Sequence, residues 1–305
     1  MGVWPELLPR LRRLVACRVP SHAVDLPAVV ERLGRAEILR QLPHERRRRW
    51  GDRIQVILDR SERLVPYWFD QLELYLHLES LYPSHALQLA VIRDGWSSPL
   101  LLDADGAERD YAWPAPGSLA LVLGDLGCLD RRPGETTRYW RDFGRGLREN
   151  GVRPVAVLPC AAERWRGELH ESWQLVAWET PLPGPPGRTV PGPRGEAVLT
   201  RLLRLLSSAI RVEPGLLRSV RRALPWAAAD AGWEAEVWQH PALGTNSCLA
   251  ASWDARQVSD LQEEPPGQDP LDREERRQVL AELRRWRAGL APEIWLTELL
   301  ALDAH

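Results

Sequence analysis

"IQVILDRSERLVPYWFDQ", residues 54–71, is the stretch on which the fold turns. Ile54 to Leu58 are mostly apolar and suit a buried strand. Asp59, Arg60 and Ser61 follow, and then an aromatic-rich segment with helical periodicity. An aspartate and a serine two apart, where a strand gives way to a helix, mark either a ligand site or a helix cap.

The same alternation continues on the C-terminal side. "ALQLAVIRDG" and "PLLLDADG" read as strands closed by Asp-Gly turns, Asp94-Gly95 and Asp105-Gly106. "SLALVLGDLGCL" is a strand that leaves Asp125 at its end, and "TTRYWRDFGRGLREN" is a helix stopped by Asn150-Gly151. "VRPVAVLPC" and "SWQLVAWE" are further strands. Apolar runs alternating with helices predict an α/β domain over residues 52–180, a doubly wound, mainly parallel sheet covered on both faces.

Residues 1–51 read as a helical segment. "PELLPRLRRLVACRV" and "DLPAVVERLGRAEILRQL" both carry amphipathic spacing, the second with Asp25 as cap and Pro27 in its first turn. Residues 181–195, "PLPGPPGRTVPGPRG", form a Pro/Gly-rich linker. Residues 196–305 show helical spacing throughout and predict a separate all-helical domain, with "SCLAASW" as one short candidate strand.

Composition bounds the function. Apolar residues make up 44% and charged residues 27% of 305, the profile of a soluble globular protein, and a formal net charge of −2 gives no drive toward nucleic acid or anionic membrane. All forty basic residues are Arg, so "HERRRRW" at 44–50 is discounted as a nucleic-acid motif and read as a solvated turn before a strand. Cys17, Cys128, Cys160 and Cys248 form no CxxC pair, which argues against a zinc knuckle. No secretory signal and no membrane-length apolar run is visible, and the expected location is the cytoplasm.

In an open parallel sheet, ligands bind beyond the carboxyl ends of the strands where the strand order reverses. With order 3-2-1-4-5-6, the first and fourth strands are neighbours. Asp59 and Asp125 then face one another across a crevice, the geometry of a magnesium-type site. The succession of a strand, "DRSER", an amphipathic helix, an antiparallel pair, "LVLGDLG", a helix and "GVRPVAVLP" resembles a von Willebrand factor A domain. That resemblance implies a metal-ion-dependent adhesion site built from Asp-x-Ser-x-Ser, a Thr and an Asp. Asp59, Ser61 and Asp125 match three positions as metal ligands. Arg63 stands where the second Ser is implied, and Ser118 is a weak stand-in for the Thr. A guanidinium cannot ligate a cation. Set beside Asp59 or Asp125, it would replace the metal with an internal ion pair and leave the site degenerate.

"RRRRWGDRIQVILDRSERLVPYWFDQ", "RVEPGLLRSVRRALP" and "EAEVWQHP" also resemble the amino-terminal region of some bacterial conflict-system proteins, in which a formylglycine-generating-enzyme-like domain follows. This resemblance implies a regulatory half whose effector lies on another polypeptide.

Other candidates have simpler readings. Glu236 and His240 are a surface pair on a helix, with Glu234 projecting elsewhere. "DADG" is a hairpin turn, and Cys128 an inert thiol. Fifteen Trp serve either core packing or a partner groove. Trp238 and Trp295 are the candidate partner-binding anchors. The expected function is a non-catalytic adaptor that binds another protein, the effector or ATPase of the same gene cluster. Catalytic and cofactor-binding residues are expected to be none, apart from Mg2+ at a degenerate site. The alternative is a divalent-metal hydrolase using Asp59 and Asp125.

Overall fold

The computed structural model describes residues 3–50, 53–130, 133–179, 195–263, 270–289 and 296. At the amino end, helix α1 (Val3–Val15) leads into strand β1 (Ala16–Val24), helix α2 (Leu26–Gly34) and strand β2 (His44–Trp50). The cap is as the sequence suggests: Asp25 Oδ1 accepts from the Ala28 amide at 3.0 Å, with Pro27 in the first turn. The segment is not all helix, however. β1 and β2 pair antiparallel as a two-stranded ribbon, with Ala16 opposite Trp50 and Pro20 opposite Arg46. The arginine run is therefore a strand and not a turn. Its all-polar side chains give no period-2 signal, so pairing and not patterning reveals it.

Next come β3 (Ile54–Asp59), a 3-10 turn (Glu62–Tyr67) and α3 (Trp68–Glu79). β4 (Leu87–Ile92), β5 (Leu100–Leu102), β6 (Glu108–Asp110) and β7 (Leu119–Leu123) follow. The unit continues through α4 (Pro133–Glu149), β8 (Arg153–Leu158) and β9 (Gln174–Ala177). These strands form one seven-stranded sheet in the order β6-β5-β4-β3-β7-β8-β9. β4, β3, β7, β8 and β9 are mutually parallel, whereas β5 runs antiparallel to both β4 and β6. The architecture is α/β, mainly parallel, and compatible with a doubly wound fold.

Alternate residues of the central strands feed two cores, one on each face. Ile57, Ala90, Val122 and Ala156 pack with Trp140 and Leu147 of α4 and with Leu64 and Tyr67 of the 3-10 turn. Val56, Leu58, Leu121 and Val155 pack with Leu7 and Leu11 of α1 and Leu74 and Leu78 of α3. Thus α3 buries Asp70, Gln71, Leu74 and Leu78 and leaves Phe69, Leu72 and Leu76 exposed. Because α3 is apolar on more than one side, its hydrophobic pattern does not fix its rotation.

The carboxyl half contains α5 (Glu196–Leu206), β10 (Arg211–Val212), α6 (Pro214–Ala223), α7 (Gly232–Trp238), β11 (Leu243–Asn246), β12 (Ala251–Trp253), α8 (Ala255–Glu263) and α9 (Pro270–Arg287). It is not all-helical: β10, β12 and β11 form a small antiparallel sheet, with β12 inside the "SCLAASW" segment. The helices and this sheet share a third core, which also takes in Val65 of the 3-10 turn. An ion network joins this half to the large sheet. Arg218 Nη1 meets Asp70 at 2.6 Å, Arg221 Nη2 meets Glu179 at 2.6 Å, and both guanidinium groups bond Glu234. The Pro/Gly-rich stretch lies outside the described residues apart from Gly195, as does "PEIWLTELLAL" apart from Leu296.

Candidate functional site

β3 and β7 are hydrogen-bonded neighbours running in the same direction, with Ile54 opposite Leu119 and Leu58 opposite Leu123. Their carboxyl ends therefore deliver Asp59 and Asp125 to the same edge of the sheet. Both carboxylates are fully buried. Gln71 fastens the two strand ends together, since its Nε2 donates to the carbonyls of Asp59 and Leu123, each at 3.0 Å. Gly124 makes the close approach possible: a β-carbon there would stand 2.6 Å from the Asp59 β-carbon.

Arg63 lies between the two acids. Its Nε donates to Asp125 Oδ2 at 2.9 Å and its Nη2 to Asp125 Oδ1 at 2.7 Å, a bidentate fork. Nη2 also reaches Asp59 Oδ2 at 3.1 Å. Asp125 accepts two further bonds, from the Gly127 amide to Oδ1 at 3.1 Å and from the Leu129 amide to Oδ2 at 2.9 Å. The turn that supplies these amides is tight, with positive φ at Leu126 (51°) and Gly127 (79°). Asp59 Oδ1 accepts from the Ser61 amide at 3.0 Å. Ser61 is buried, and its hydroxyl has no hydrogen-bond partner.

The electrostatics follow from this geometry. Burial alone would push the Asp125 carboxyl up, but the Arg63 charge and the hydrogen bonds of Arg63, Leu129 and Gly127 hold it below its ordinary value. Asp59 has fewer donors. Burial drives it up, Arg63 opposes this, and the neighbouring Asp125 pushes it further, to about 6. Burial would lower the Arg63 pKa, but the two aspartates hold it above its usual range.

This donor set does not fit a magnesium ion. A carboxylate offers about four lone-pair positions, and Asp125 has four donors already in place. The position between the acids is filled by a guanidinium, which repels a cation. Ser118 cannot complete a ligand set, because it precedes β7 while Asp125 follows that strand, placing them at opposite edges of the sheet. Among the described residues, no group of three or more His, Cys, Asp or Glu is placed to hold a metal.

A turn covers the crevice. The Gly95 backbone lies against Arg63, and a β-carbon there would stand 2.6 Å from Nη1. Gly95 has φ of 85°, so the turn needs glycine for both space and conformation. Asp94 Oδ1 accepts from the Ser97 amide at 2.9 Å, and the Tyr139 hydroxyl donates to the Ser97 carbonyl at 2.7 Å. Trp96, in the middle of this fixed turn, is 58% exposed.

The remaining candidates separate clearly. Trp238 is 1% exposed and belongs to the carboxyl-half core, so it presents no outer anchor; Trp295 lies outside the described residues. The α7 position that brings the Trp238 ring inward comes from packing against α5 and α6, which helical spacing alone does not reveal. Glu234 is fully buried between Arg218 and Arg221, and Glu236 pairs with Arg164. "DADG" closes a hairpin through the Gly106 amide and Asp103 carbonyl at 2.9 Å. Cys128 is buried beside Cys160, whose thiol is pushed well up by its bond with Cys128 and by burial. The sequence singles out Trp96 by no motif; its one local signal is the Asp94-Gly95 turn directly before it.

No family model matches the chain, and neither the curated proteins nor the solved structures contain a match to it. Among the described residues, no helix is long and apolar enough to cross a membrane.

Proposed function

We propose that this chain is a non-catalytic adaptor. In this reading residues 52–180 are a von Willebrand A-like domain whose cation has been replaced by an internal arginine. The observation that carries it is the Arg63 fork on Asp125 with its third bond to Asp59. Asp125 has its four acceptor positions taken, and the Arg63 guanidinium fills the place a cation would occupy between the two acids. It holds the carboxyl edge of the sheet in one shape without a metal. Such an edge suits recognition of another protein, with Trp96 as the exposed aromatic anchor on the turn above it. The partner in this reading is the effector or ATPase encoded in the same bacterial conflict-type gene cluster.

The test is pairwise co-purification of the chain with each product of the neighbouring genes. One binary complex is expected. Trp96→Ala should weaken it about thirtyfold, equivalent to about 2 kcal/mol, without lowering the melting temperature. The proposal fails if no neighbouring product binds. It also fails if the purified chain hydrolyses a phosphoester or peptide and Asp125→Ala abolishes that turnover.

A further inference from the structure

Two of the four cysteines meet beside the crevice. Cys128 lies in the turn beyond β7, and Cys160 lies two residues beyond β8. β7 and β8 are parallel neighbours, with Leu123 opposite Val157, so the chain leaves both strands at the same edge of the sheet. The Gly124 amide still bonds the Val157 carbonyl at 3.3 Å, and the Cys128 amide then turns back onto the Asp125 carbonyl at 2.9 Å. Both side chains sink into the core on the α4 face, where Cys128 is 7% exposed and Cys160 1%. There the two thiols are hydrogen-bonded to each other, and neither is in a disulfide.

The carboxyl half packs against this pair. A β-carbon on Gly232, the first residue of α7, would stand 2.9 Å from Leu129 Cδ2 and 3.1 Å from Cys160 Cβ. The residue after each cysteine is tied to an aspartate: the Leu129 amide donates to Asp125 Oδ2 and the Ala161 amide to Asp230 Oδ1, both at 2.9 Å. Thiols already in contact need only side-chain rotation and a small approach to reach the S–S bond length of about 2 Å, whereas cysteines held apart by the backbone cannot be bridged. A single buried thiol would be inert, because burial opposes the thiolate. The pair differs from a single thiol. Cys160 is pushed well above its ordinary value by its bond with Cys128 and by burial, so it keeps its proton. Cys128 is the more exposed of the two and the first that a small oxidant reaches.

We propose that Cys128 and Cys160 form a reversible redox site that hydrogen peroxide converts to a disulfide. The Cys128 thiolate attacks one peroxide oxygen, the O–O bond breaks, and the departing hydroxide takes up the proton that Cys128 released, giving water. Cys128 is then a sulfenic acid. The Cys160 sulfur attacks that sulfur, the S–O bond breaks, and the hydroxyl leaves with the Cys160 proton as a second water. Two thiols are oxidised to one disulfide, and one peroxide is reduced to two waters. The new bond staples the turn that supplies two of the Asp125 donors to the loop that receives Asp230. Oxidation therefore fastens the carboxyl edge of the sheet where the carboxyl half packs on it. This inference is independent of the adaptor reading, because it concerns the covalent state of the edge and not what binds there.

The test exposes the reduced, folded full chain to hydrogen peroxide at neutral pH, removes the peroxide with catalase and alkylates the remaining thiols in denaturant. Intact mass should show two alkyl groups where the untreated chain takes four. Cleavage after arginine without reductant should yield the Cys128 and Cys160 peptides joined, and dithiothreitol should restore all four sites. In Cys160→Ser the resolving thiol is gone, so Cys128 should stop at the sulfenic acid and take up dimedone. Cys128→Ser should give no such adduct at Cys160. A treated wild type that still takes four alkyl groups overturns the proposal. So does a disulfide that enlists Cys17 or Cys248 in place of either partner, or oxidation of Cys128 to the sulfinic acid without a bond to Cys160.

Discussion

Arg63 and Asp125, sixty-two residues apart, meet through two parallel hydrogen bonds: Nε to Oδ2 at 2.9 Å and Nη2 to Oδ1 at 2.7 Å. The pair is out of water, with Asp125 fully buried and Arg63 9% exposed. Removing one member of such a pair leaves an uncompensated charge, which costs about 3–5 kcal/mol. Arg63→Ala should therefore lower stability by about that amount in urea denaturation. Arg63→Lys should recover only part of it, because an ammonium is a point charge and cannot reproduce the fork. A loss below about 1 kcal/mol for the alanine variant, in the range of exposed pairs, would mean that the guanidinium is not engaged as described.

Magnesium should leave the wild-type melting temperature unchanged. A ligand that binds only the folded state adds about 2.7 kcal/mol at one hundred times its dissociation constant, so even modest affinity would be visible in a thermal melt. The four donors on Asp125 and the guanidinium between the acids exclude it. A magnesium-dependent rise that disappears in Asp59→Ala would contradict this account of the crevice.

The two acids have opposite effects on the pH dependence of stability. Burial, opposed by Arg63 and reinforced by Asp125, raises Asp59 from its ordinary 3.8 to about 6. Its favourable contribution is therefore present below about 3.8 and is lost as the pH rises through about 6. Asp125, held below 3.8, contributes stability above that value and loses it only in more acidic solution. Between about pH 4 and pH 6 the slope from this site comes from Asp59 alone, at up to about 1.4 kcal/mol per pH unit. Denaturation across that range should show wild-type stability falling, relative to Asp59→Asn, as the pH rises. A parallel pH dependence in the two proteins would show that Asp59 does not titrate there.

Much of the crevice is legible in the sequence, because strands announce themselves by composition and their ends by polarity. "IQVILD" and "LALVLGD" are continuous apolar runs that stop at an aspartate, and the order of strands follows from parallel connections. Arg63 is legible through its spacing from Asp59 and its chemistry. The fork itself is not, because a bidentate contact depends on a rotamer set by Gly95 and by the Leu126–Gly127 turn. Gln71 escapes notice because its role is to tie two carbonyls that only the folded sheet brings together. β2 escapes for a different reason: a run of arginines lacks the alternation that identifies a strand. Trp238 shows the limit of helical spacing. Charged neighbours in sequence suggest an outer face, but Glu234 beside it is itself buried by two arginines that lie 13 and 16 residues upstream.

That buried glutamate supplies the last prediction. Glu234 has no exposed surface and bonds Arg218 Nη2 at 3.0 Å and Arg221 Nε at 2.8 Å. Each arginine also reaches into the large-sheet unit, Arg218 to Asp70 on α3 and Arg221 to Glu179 beyond β9. Burial alone would push the Arg221 guanidinium down, but Glu234 and Glu179 hold it above its usual range. Glu234 is thus the hub of one ion network between the carboxyl half and the sheet, beside the Arg164 pairs with Asp230 and Glu236. In Glu234→Ala two buried cations lose their shared counter-ion, each keeping only one acidic partner. The cost should be about 3–5 kcal/mol, and it falls on the junction and not within either core. Urea unfolding followed by tryptophan fluorescence and by far-ultraviolet circular dichroism separates the cases. The wild type should unfold with coincident transitions by the two probes, the mark of one cooperative unit. Glu234→Ala should unfold earlier and with transitions that no longer coincide. If the variant keeps coincident transitions and loses less than about 1 kcal/mol, the value of an exposed pair, the network does not couple the halves. The contact of Val65 with the carboxyl-half core, the packing of Ala231 and Ala235 into the sheet core and the Arg164 pairs with Asp230 and Glu236 would then hold them together.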